Sequence, residues 1–152
     1  IFLDQIGHYV AEGSIGLFLG ISVAVAIDPT DWRFMFAGAL LAAGIWFNKS
    51  LNMMVTLART NSDLPRLPDT ASARAISGAS LTATLRRIAG FVPLHRMFHS
   101  IELTLVTLAA AVVAIFLPAF WPWYVIAVTV FIWPVCVGHF IAIWRSPRLE
   151  AS

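Results

Sequence analysis

Residues Ile6–Leu51 read IGHYVAEGSIGLFLGISVAVAI, then DPTD, then WRFMFAGALLAAGIWFNKSL. Two apolar runs, each long enough for a helix to cross a hydrocarbon layer ~30 Å thick, which takes roughly 20 residues, are separated by four polar ones. The break at Asp28-Pro29-Thr30-Asp31 combines a proline with capping residues, so one helix ends there and the next begins. Such a short connection makes the two helices antiparallel neighbours. The pattern recurs downstream: His99–Phe120 and Trp123–Trp144 are again apolar, joined around Pro118, Trp121 and Pro122 without a charge. Spans are therefore expected over 6–27, 32–51, 99–120 and 123–144. The fold class expected is all-α, a polytopic membrane protein built as a four-transmembrane-helix bundle.

Composition agrees with that pattern. Of the 152 residues, 59% are hydrophobic and 12% charged, and the mean hydropathy is +0.82. These values lie outside the soluble range. The length leaves room for one helical domain over 1–152 and little else. The first apolar run has no basic leader and contains His8 and Glu12, so it does not read as a cleavable signal. Past Phe47 the second run turns mixed, with Asn48, Lys49 and Ser50 followed by Leu51, Met53, Met54, Val55 and Leu57. This reads as a helix leaving the membrane along its surface, with Lys49 snorkelling to the headgroups. A loop over 52–95 follows, rich in Ser, Pro, Ala and Arg, with a short amphipathic piece around Leu81–Ile88.

Basic residues set the orientation. Lys49, Arg59, Arg66, Arg74, Arg86, Arg87 and Arg96 crowd the middle of the chain against Asp63 and Asp69, and Arg145 and Arg148 follow the last span. Loop and both termini are expected on the cytoplasmic side. Trp32, Trp121 and Trp123 then fall at the outer interface and Trp144 at the inner one. The net charge of +2 reflects this orientation and attraction to anionic lipid. Nucleic acid is not an expected partner.

On this topology all four histidines share the inner layer. His8 opens the first span, His95 and His99 open the third, and His139 lies six residues before Arg145, roughly 9 Å along a helix. His95 and His99 are i,i+4, Glu102 follows His99 by three, and His8 and Glu12 are again i,i+4. Ionisable groups in a membrane are costly and normally face the bundle interior, paired or bound. Candidate metal ligands are thus His8, His95, His99 and His139, with Glu12 and Glu102 orienting an imidazole. Imidazole with carboxylate suits iron, zinc or manganese, and the single Cys136 offers no thiolate set and reads as packing. Gly16 and Gly20 form a GxxxG pattern for close helix packing, within the bundle or against a partner.

The segment His95-Arg96-Met97-Phe98-His99, the apolar hairpin after it, Val137-Gly138-His139-Phe140 and the basic tail Trp144-Arg145-Ser146-Pro147-Arg148 together resemble the small membrane family of 2-hydroxy fatty acid dioxygenases. The resemblance covers about a third of the chain. That family carries an Asn-Arg-x-x-His segment before its hairpin and a Gly-His at the far end. Its further upstream histidine has no counterpart between Leu81 and Leu94, and the glutamate of its tail is missing near Ala142 and Ile143. Gln5–Gly13 has the family's Gly-His-x-x-x-Glu form at the opposite end of the chain. What the resemblance implies is iron(II)-dependent oxidation of a long-chain 2-hydroxy fatty acid, shortening it by one carbon. His99 and His139 would be core ligands, His8 or His95 would complete the set, and Arg86, Arg87 or Arg96 would hold the substrate carboxylate. Two other readings stand beside it. One is a haem-binding electron-transfer subunit with two axial histidines. The other is an accessory subunit without cofactor, packing in a homo-oligomer or a larger membrane complex. A transporter is disfavoured by the lack of paired interrupted spans.

Overall fold

A computed structural model describes residues 2–63, 98 and 100–145. These form four helices: α1 (Phe2–Ile27), α2 (Trp32–Asn61), α3 (Ser100–Phe116) and α4 (Phe120–Trp144). Among the described residues there is no strand. Three helices, α1 from Ile6, α2 and α4, are long and apolar enough to cross a membrane, while the apolar part of α3 is shorter.

The α1–α2 turn shows why the chain reverses there. Asp28 accepts from both the amide and the hydroxyl of Thr30, at 2.9 and 2.6 Å. Asp31 caps α2 by accepting from the Arg33 amide at 3.0 Å, and the Arg33 guanidinium closes back on it at 2.6 Å. The Thr30 hydroxyl and amide lower the Asp28 pKa, and the Arg33 side chain and amide lower that of Asp31. The second reversal runs through Leu117–Ala119, where Phe120 donates to Leu117 O at 2.9 Å. Pro122 follows in the first turn of α4, where its missing N–H would have lacked a helical partner in any case.

Helix ends differ from the sequence expectation in two places. The span over 99–120 divides at Phe116, because Pro118 stops the helix and the turn starts α4 three residues earlier than expected. The larger difference is that α2, expected to continue past Phe47 as a surface helix with the loop counted from 52, runs on to Asn61. Its extension is anchored: Leu51 and Val55 are buried with Ile143 of α4, and Arg59 is also buried. The Leu81–Ile88 piece and the rest of the loop lie outside the described residues.

Pairings along the helices give their directions. Gly16 meets Ala42 and Gly20 meets Gly38, so α1 and α2 are antiparallel. Thr129 reaches Ala37 O, Cys136 reaches Gly44 O and His139 meets Asn48, so α2 and α4 run parallel. α1 and α2 form the tightest pair, α4 packs on α2, and α3 lies more lightly, chiefly against α4. The core between them contains Leu19, Val23, Leu41, Ile45, Leu103, Val125, Ile132 and Cys136. The outward faces carry large apolar side chains, among them Phe18, Val25, Leu108, Ile115 and Val130.

Candidate functional site: a polar layer at one end of the bundle

Two side-chain pairs lie side by side on α2. Lys49 Nζ donates to Glu12 Oε2 on α1 at 2.8 Å, and the preceding residue, Asn48, meets His139 of α4 across 2.8 Å. Consecutive positions on a helix point about 100° apart, so one residue serves α1 and the other α4. Asn48 Oδ1 can only accept, so His139 Nδ1 carries the hydrogen. In the neutral ring this leaves the lone pair on Nε2, the tautomer that an outer oxygen imposes on a ligating or proton-accepting histidine.

The α1 side of the layer is held by a notch. At Gly13 a Cβ would collide with the Trp46 ring, so the missing side chain lets the indole lie on the α1 backbone. From there Trp46 Nε1 donates to Tyr9 O at 2.7 Å. One turn later on α2, Lys49 Nζ lies 4.7 Å from the centre of the Tyr9 ring, within the range of a cation–π contact. Glu12 is deeply buried, with 5% of its side chain exposed, while Lys49 keeps 27%. Among the described residues no buried side-chain nitrogen or oxygen lacks a partner. By a rise of ~1.5 Å per residue, Lys49 lies about 25 Å along α2 from Trp32, a distance comparable with the ~30 Å thickness of a hydrocarbon layer.

The residues singled out from the sequence are distributed as follows. His139 and Glu12 belong to the layer, but Glu12 bonds Lys49 rather than an imidazole. His8 is exposed on α1, one turn towards its start. Glu102 is half-buried in the first turn of α3, where a negative charge complements the helix dipole. His95, His99, Arg86, Arg87 and Arg96 lie outside the described residues. Among the described residues, no three His, Cys, Asp or Glu side chains form a group able to hold a metal ion. Cys136 is buried and donates to Gly44 O at 3.3 Å. Gly16 and Gly20 are used inside the chain, against Ala42 and Gly38.

Asn48, Trp46, Tyr9 and Gly13 were not among the residues singled out. The rule that picked the histidines, polarity inside an apolar run, applies equally to Asn48 and Lys49. Only the tertiary pairing reveals Gly13.

A separate apolar cleft of 690 Å³ opens at the other end of the bundle, between Ala26, Ala111, Ala114 and Trp123. It lies at the opposite end from Glu12, Lys49 and His139. The chain matches no protein-family model, no curated protein and no solved structure in these comparisons.

Proposed function

We propose that this chain is an integral membrane protein that acts on an amphipathic lipid at the inner headgroup boundary, through the polar layer of Glu12, Lys49, Asn48 and His139. The observation that carries this reading is the pair of part-buried polar contacts, Glu12–Lys49 and Asn48–His139, set at one level in helices whose outer faces are apolar. Ionisable groups at such a depth mark functional sites by default, because a merely structural bundle is more cheaply built without them.

The finer reading is oxidation of a long-chain 2-hydroxy fatty acid with iron(II), and what supports it is the sequence resemblance together with the Nδ1 anchoring of His139. His139 and His99 are its core ligands, with His8 or His95 as third. Iron would supply the oxygen chemistry; this chain's own part is to hold His139 in one tautomer through Asn48. The accessory-subunit reading is weakened by Gly16 and Gly20, since the α1–α2 seam already uses the motif that a partner helix would need. A haem subunit requires a second axial histidine facing His139.

Metal analysis with an absorption spectrum on the detergent-purified chain tests the finer reading. Stoichiometric iron without a Soret band, lost in His139→Ala, is the expected result. A Soret band would transfer the reading to haem, and metal content unchanged in His139→Ala would remove His139 from the site. Resistance to alkaline carbonate extraction tests the membrane placement separately.

A further inference from the structure

Lys49 is a cation whose position is fixed rather than free. A lysine at a membrane boundary ordinarily snorkels, sampling many rotamers on the way to water. Here the ammonium is held by Glu12 at 2.8 Å and sits over the Tyr9 ring, while Trp46 in the Gly13 notch locks the two helices at that level. An ammonium has three donors. Glu12 accepts from one and the Tyr9 ring lies beside the ammonium, while 27% of the lysine side chain stays exposed.

The sequence that follows Lys49 favours an anion: Arg59, Arg66, Arg74, Arg86, Arg87 and Arg96 stand against Asp63 and Asp69, an excess of positive charge over 49–96. A donor ordered in advance binds an anion without the entropy cost of immobilising a lysine. We propose that Lys49, backed by Glu12 and Tyr9, docks the anionic end group, a phosphate or carboxylate oxygen, of a membrane lipid whose chains lie along the α1–α2 face. This rests on the membrane placement proposed above and not on the iron reading.

The test uses the full chain in nanodiscs of phosphatidylcholine containing phosphatidylglycerol, released into a native mass spectrometer so that retained lipids are counted. Wild type should retain phosphatidylglycerol in preference to phosphatidylcholine, and Lys49→Arg should keep that preference. Lys49→Met leaves the Glu12 carboxylate buried alone, so the informative variant is Glu12→Gln with Lys49→Met, which removes both charges together. Retention in that double variant should fall about tenfold, the loss of one charge-assisted hydrogen bond. Glu12→Gln alone removes the neighbouring negative charge while its amide oxygen can still accept from Lys49, and should raise retention. Equal retention in wild type and double variant overturns the proposal, as does full displacement of the lipid by inorganic phosphate, which would assign the site to a free anion. Wild type that leaves membranes in alkaline carbonate refutes the membrane placement, whereas wild type that stays but shows no phosphatidylglycerol preference refutes the docking site alone.

Discussion

Gly20→Ala tests the α1–α2 seam most directly. A Cβ at Gly20 would lie 2.7 Å from Gly38 Cα, 2.8 Å from Gly38 N and still nearer Phe34 O. All three are backbone atoms, so no side chain can swing aside. Restoring ordinary contact at about 3.5 Å requires the helices to separate by roughly 1 Å, and a gap of that size forfeits a quarter to a half of each dispersion contact along the seam. Gly16, Leu19, Val23, Leu41, Ala42 and Ile45 all lose contact together. The expected cost is about 1–3 kcal/mol, offset by at most about 1 kcal/mol from the better helix propensity of alanine. Gly7 supplies the control, because a Cβ there meets nothing within 4 Å, so Gly7→Ala should be neutral or slightly stabilising. Unfolding in detergent by denaturant titration, followed by far-UV circular dichroism, compares the two variants. If Gly20→Ala is as stable as Gly7→Ala, the seam is not closely packed and the helix pairing described above is wrong.

Two further outcomes are expected. Glu12→Gln or Lys49→Met alone should each cost about 3 kcal/mol, the low end for a broken buried pair because Lys49 keeps some exposure, while the double variant should be distinctly less costly than their sum; strict additivity in that cycle would show that the two charges do not interact. The Asp28 carboxyl, with its pKa lowered below 3.8 by the Thr30 hydroxyl and amide, should stabilise the α1–α2 turn above the unfolded carboxyl value and lose that contribution as pH falls through the lowered folded value. The Thr30 amide shift, followed by nuclear magnetic resonance, should therefore titrate with a midpoint under 3.8, and a midpoint at or above it would contradict the turn geometry.

Hydropathy, the DPTD break and the Pro118–Pro122 turn are local signals, and they suffice to read an all-helical chain with its two tight reversals. Apolar runs of this length have few alternatives, since their backbone groups must be bonded internally. The close-packing role of Gly16 and Gly20 was also legible as a pattern, although the helix they meet was not. The continuation of α2 past Phe47 is legible as a surface helix, but what holds it is not: Leu51 and Val55 find Ile143, distant in sequence, and their burial keeps the helix going. In the layer, the sequence singled out His139 and Glu12 because charge inside an apolar run is costly wherever it lies. Which group satisfies each of them depends on how helices rotate against one another, and that is set by glycines: Gly13 admits Trp46, Gly20 meets Gly38 and Gly44 admits Ile132. Those contacts turn Lys49 towards Glu12 and Asn48 towards His139. Local sequence thus determined the helices and their polar positions, whereas only the packing of small residues against large ones decided which polar groups became partners.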